Sequence, residues 1–103
     1  MTQANLGILA HLEAKPEKVA EVQDFLTGAL PMAVQEAGTN TWFAIRLGPT
    51  TFGIFDTFAD EGARQAHLSG KIAEALLSQA DKLLASPPDI KQIEILASKV
   101  PQM

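Results

Sequence analysis

Apolar side chains recur along the chain at two different spacings, and each change of spacing marks a new element. Leu6, Ile8, Ala10, Leu12 and Ala14 alternate with Gly7, Leu9, His11 and Glu13, the period of two that predicts a strand. Lys15-Pro16 ends it, because proline cannot donate to a ladder and suits the first turn of a helix. From Pro16 the recurrence lengthens. Val19, Val22, Phe25, Leu26 and Leu30 fall three or four residues apart with Glu17, Lys18, Glu21 and Asp24 between them, which predicts an amphipathic helix. Pro31 kinks or restarts that helix, and Glu36-Ala37-Gly38 stops it, with Gly38 as a C-terminal cap. Residues 41–47 (TWFAIRL) and 52–58 (FGIFDTF) then read as two strands joined by the turn Gly48-Pro49-Thr50-Thr51. Asp60 is placed to cap a short helix running through Leu68. After Ser69-Gly70 a further helical run begins at Lys71, with Ile72, Ala75, Leu76, Ala80 and Leu83 on one stripe. Ser86-Pro87-Pro88 halts it, and residues 90–97 alternate once more as a last strand.

The order β-α-β-β-α-β over a single domain, residues 1–103, predicts an α+β ferredoxin-like unit: a four-stranded antiparallel sheet with helices on one face. If Leu47 lies opposite Phe52 in the hairpin, Ile45 pairs with Ile54, Phe43 with Asp56 and Thr41 with Phe58. Trp42, Ala44, Arg46, Gly53, Phe55 and Thr57 then share the other face. Both faces carry large apolar groups, whereas a sheet with one wet side alternates apolar and polar residues. A second cover is therefore expected, and a twofold homodimer packed sheet to sheet supplies it.

Composition narrows the function classes. Of the 103 residues, 47% are hydrophobic and 19% charged, with a net charge of -4, a balance that speaks against disorder and against a nucleic-acid surface. There are no cysteines, so disulfide and thiolate chemistry are excluded and a cytoplasmic setting is the default. No apolar run approaches the ~20 residues of a membrane helix, and the first residues do not read as a signal peptide. Two histidines and no cysteine make a metal site unpromising. No phosphate loop or nucleophile elbow is present, so any enzyme here is expected to work without a cofactor.

The ionisable candidates are His67, Asp56 and His11. An acid among apolar neighbours must find a donor or change its pKa, and histidine is the side chain best matched to proton transfer near neutral pH. If the first strand lies beside the third, His11 can face Asp56. Trp42, Phe43, Phe55 and Phe58 are core or interface residues, or else the walls of a pocket for a small apolar or aromatic ligand. Arg46 is placed to face solvent or to hold an anionic group.

Glu36-Ala37-Gly38, then TWFAIRL, then FGIFDTFADEGARQAHLSG resemble the antibiotic biosynthesis monooxygenase family of dimeric α/β barrels. The family pattern has an acid then Pro-Gly before the second strand, an aromatic opening that strand, a carboxylate in the third, and Ala-His-Leu near the second helix. Glu36, Gly38, Trp42, Asp56 and Ala66-His67-Leu68 match in order. The third-strand acid is usually glutamate, a Trp often stands where Phe58 does, and Lys71 stands near a missing second histidine, which weakens a haem-binding reading. The resemblance implies the dimeric barrel and, for some members, oxygenation of quinols or anthrones without metal or flavin. On that reading His67, or a His11–Asp56 pair, is the base, and Trp42 or Arg46 helps hold the oxyanion. A non-catalytic binding module and a purely structural domain are the competing expectations.

Overall fold

Residues 5–101, the part of the chain described by the computed structural model, follow the expected order of elements. They are β1 (Leu6–Glu13), a 3-10 turn at Pro16–Lys18, α1 (Val19–Gly28), α2 (Leu30–Gln35), β2 (Thr39–Arg46), β3 (Thr51–Phe58), α3 (Glu61–Leu68), α4 (Lys71–Leu83) and β4 (Asp89–Glu94). The four strands form one antiparallel sheet in the order β2-β3-β1-β4, the ferredoxin-like arrangement. Each helical arm is divided by the residues that predicted a break. Pro31 sits at the start of α2, where its missing N–H costs nothing, and Ser69-Gly70 separates α3 from α4. Asp60 caps α3 by accepting from the Ala63 N–H at 2.8 Å. Among the described residues no helix is long and apolar enough to cross a membrane.

The helices cover the face carrying Ile8, Ala10, Leu12, Phe52, Ile54 and Phe58, all buried. Ala10, Leu12, Phe52 and Ile54 pack with Val22 and Leu26 of α1 and Leu76 and Leu83 of α4. A second cluster, Ala29, Ala33 and Ile72, lies beside it, and Trp42 is wedged against both. Among the described residues no helix covers the opposite face. There Leu9 is 37% and Phe43 52% exposed, with the Phe43 and Phe55 rings stacked at 6.4 Å.

The hairpin register differs by one residue from the expected one. Phe52 lies opposite Arg46, not Leu47, and Asp56 lies opposite Trp42, not Phe43. The turn is the cause. The N–H groups of Leu47 and Gly48 both donate to the Thr51 carbonyl, which draws Leu47 out of the ladder. A one-residue slip turns every side chain of a strand to the other face, so Trp42, Ala44 and Arg46 join Asp56 while Phe43 and Ile45 join Phe55. A bulge between Thr39 and Thr41 closes the pairing with Thr39 opposite Phe58. The last strand is also shorter than its alternation suggests. β4 ends at Glu94 opposite Leu6, and one more bond, from the Ile95 N–H to the Asn5 carbonyl, follows it; among the described residues the tail pairs with no strand.

Gly38 is not a left-handed helix cap, since no glycine among the described residues has positive φ. It is there for proximity. A Cβ at Gly38 would stand 2.6 Å from the Cβ of Ala63 on α3, a distance that forces movement of one element. Gly38→Ala is therefore expected to cost about 1–3 kcal/mol by overpacking, and Ala63→Gly added to it to recover most of the loss. Urea unfolding of the single and double variants checks this, and no recovery in the double variant would show that the strain lies elsewhere.

Candidate functional site

The short connection that Gly38 permits brings the end of α2 against α3. Glu36, the residue that closes α2, reaches across to His67 in the last turn of α3. One glutamate oxygen, Oε1, lies 2.6 Å from His67 Nδ1 and also accepts from the Thr39 hydroxyl at 2.7 Å. On the far side of the ring, His67 Nε2 is 2.9 Å from Oδ2 of Asp56. That contact is short but not aligned along the N–H, and neither oxygen of Asp56 has a well-directed donor among the described residues. Phe58 packs beside the imidazole, ring centres 5.1 Å apart. Arg64, one turn before His67, donates to the carbonyls of Gly7 and Ile93 and so pins α3 to the sheet edge.

The three groups are graded in depth. Asp56 is 0% exposed and His67 9%, while the Glu36 side chain is 21% exposed. Glu36 and His67 open onto a cleft of about 390 Å³ between the α2–β2 loop and the start of α4. Much of its lining is small, including Ala37, Gly38, Ala63, Ala66 and Gly70, and Lys71 lines it too. Burial alone pushes the His67 pKa down. The contact with Asp56 and the hydrogen bond to Glu36, each backed by the carboxylate's charge, outweigh it and hold the pKa above the usual 6.5.

A raised histidine pKa stabilises the fold fully below the unfolded value, and that contribution is lost as pH rises through the folded one. The urea midpoint is thus expected to fall from pH 6 into the alkaline range, and Glu36→Gln to flatten the slope. A midpoint that climbs over the same range would contradict the ion-pair assignment.

Of the residues singled out in the sequence, the structure brings His67 and Asp56 together and separates the rest. His11 is exposed on the open face opposite Gly53 and Asp89, because the β1–β3 register sets Ile8, not His11, against Asp56; the His11–Asp56 pair does not form. Phe43 and Phe55 lie on that same open face. Arg46 is occupied at the hairpin turn, donating to the carbonyls of Gly48 and Pro49 and lying 5.2 Å over the Phe52 ring. Phe58 is buried under His67. Trp42 is beside Asp56 in the core, its indole N–H buried without a partner among the described residues. Among the described residues no Phe or Trp lines the cleft; Trp42 and Phe58 of the expected aromatic pocket pack into or against the core instead, and the opening lies at the seam beside it.

Glu36 was absent from the site expected on sequence grounds. Its signal was the Glu36-Ala37-Gly38 match in the family pattern, but nothing local ties it to a histidine 31 positions away.

Comparison with known proteins agrees with this architecture. No model of a known protein family matches the chain, and no curated protein matches it. Among solved structures, a protein of unknown function from Nitrosomonas europaea is 51% identical, with 100% of each chain covered and a TM-score of 0.95. A Mycobacterium tuberculosis protein shares the fold at 13% identity, covering 94% of this chain and 100% of its own, with a TM-score of 0.82. An antibiotic biosynthesis monooxygenase does so at 16% identity, covering 93% of this chain and 99% of its own, with a TM-score of 0.74.

Proposed function

Because the chain belongs to the same family as the Nitrosomonas europaea protein and shares the fold of an antibiotic biosynthesis monooxygenase, we propose that its cleft is the active site of a cofactor-independent monooxygenase. The substrate is a small aromatic molecule of the quinol or anthrone kind. One observation carries the reading: a buried histidine held between two carboxylates opens onto a cleft large enough for such a ligand. The protein's part in the reaction is modest. The Glu36–His67–Asp56 group removes a proton from the activated carbon or phenol, and the electron-rich anion reduces dioxygen. For an anthrone, the ring methylene is oxidised to a ketone. One oxygen atom ends in the new carbonyl and the other leaves as water with the two methylene hydrogens, both electron pairs being supplied by the substrate. The small side chains among the cleft's lining, Ala37, Gly38, Ala63 and Ala66, leave room for the ring beside Glu36 and His67.

A second reading, a non-catalytic module that binds a small ligand, is favoured by one feature: both nitrogens of His67 are already engaged. Oxygen uptake with a panel of hydroquinones and anthrones separates the two. One dioxygen consumed per ketone formed supports the oxygenase. Saturable binding of the same compounds without uptake favours the module.

The apolar sheet face of Leu9, Ile45, Phe43 and Phe55 supports a homodimer in which two sheets pack face to face. In that arrangement His11 and Phe43 belong to the interface and not to the cleft.

A further inference from the structure

We infer that Glu36, through its free oxygen Oε2, is the group that accepts a proton from a ligand hydroxyl in the cleft, and that His67 and Asp56 behind it are positioning residues. This rests on the reading of the cleft as an active site. The geometry leaves no other acceptor in the triad free to do it. His67 presents Nδ1 to Glu36 and Nε2 to Asp56, so an imidazole held this way has no bare nitrogen for a ligand. Asp56 is sealed beneath it. On Glu36 itself, Oε1 is taken by the Thr39 hydroxyl and by His67. Oε2 has no hydrogen-bond partner among the described residues and lies beside Gly70 at the cleft, where an added Cβ would stand 3.5 Å from it and 3.1 Å from the Ala66 carbonyl. The missing side chain at Gly70 leaves that approach open.

The ligand recognised in this way is a donor, a flat molecule presenting an O–H to Oε2. When its proton passes to Oε2, the phenolate left behind lies in a cleft that Lys71 helps to line, and a nearby cation favours the developing negative charge. The two donors on Oε1 fix the carboxylate so that Oε2 alone turns outward. Asp56 fixes the ring that supplies one of those donors, a carboxylate–histidine pairing that orients the reacting group without touching the ligand.

The first test needs no ligand. Nitrogen-15 NMR of the full chain carrying His11→Asn, which leaves one histidine signal, is expected to show both ring nitrogens of His67 protonated at pH 6. A neutral ring with a bare nitrogen would make His67 the base and overturn the assignment. The second test uses hydroquinone turnover, followed as oxygen uptake. Glu36→Gln is expected to lower kcat by at least ~100-fold with little change in KM, and Glu36→Asp to recover part of it. His67→Asn, whose amide N–H can replace Nδ1–H, is expected to keep kcat within about ten-fold, the worth of one hydrogen bond, while His67→Ala loses more. Wild-type kcat in Glu36→Gln, or equal losses in the Asn and Ala variants, overturns the proposal. If no compound is oxidised at all, the oxygenase reading fails and a binding comparison still decides this one. Hydroquinone should shift the Glu36 side-chain carboxyl resonance and hydroquinone dimethyl ether should not. The same response to both, including none, sinks it.

Discussion

Asp56→Ala is expected to destabilise the protein by about 3–5 kcal/mol, the usual cost of removing one partner from a buried ion pair. Asp56 is completely enclosed and its carboxylate lies 2.9 Å from the His67 ring. Its loss leaves the imidazole with a desolvated edge and opens a void beside Ile8 and Trp42, which flank it on the neighbouring strands. Because the energy belongs to the pair, the double variant Asp56→Ala/His67→Ala should cost less than the two single variants together, by about 1 kcal/mol or more. Urea unfolding of the three variants at pH 6, where the imidazole is charged, measures this. A cost below about 1 kcal/mol for Asp56→Ala would mean that the contact contributes little to the fold.

Phe43→Asp on the open sheet face is expected to disrupt the proposed dimer, so that sedimentation reports one 11.0 kDa chain in place of two. Phe43 is half exposed in the single chain and stacks on Phe55, with Leu9 and Ile45 on the same face. An apolar patch on the middle of a sheet is costly to leave in water, at roughly 25 cal/mol for each Å². Around a twofold axis every substitution occurs twice, so a single Asp places two carboxylates in one apolar contact without partners. Val34→Asp is the control. Val34 is 74% exposed on α2, away from the sheet face, and its replacement should leave the association intact. A wild-type protein that sediments as a monomer, or a Phe43→Asp variant that still pairs, removes the sheet-to-sheet dimer.

The elements were legible because their causes are local. Pro16 and Pro31 mark where helical segments begin, Asp60 caps α3 as expected, and the alternation of β1 puts Ile8, Ala10 and Leu12 on the buried face. The site was half legible. Asp56 was marked by being an acid in an apolar strand, and His67 by being one of two histidines, yet the partner expected for Asp56 was His11. Which of the two meets Asp56 depends on the β1–β3 register and on where Arg64 holds α3, and both are set by contacts between distant segments.

The order of strands and helices, the fold class and the apolar character of both sheet faces were determined by the sequence alone, since periodicity, proline placement and capping act over a few residues. Tertiary structure decided which face of β2 turns inward, because two backbone bonds to the Thr51 carbonyl shift the hairpin by one position and reverse every side chain on the strand. It also decided that Glu36 belongs to the site. That depends on α3 approaching the α2–β2 loop closely enough for a glutamate to reach a histidine, a distance governed by packing at Gly38 and Ala63.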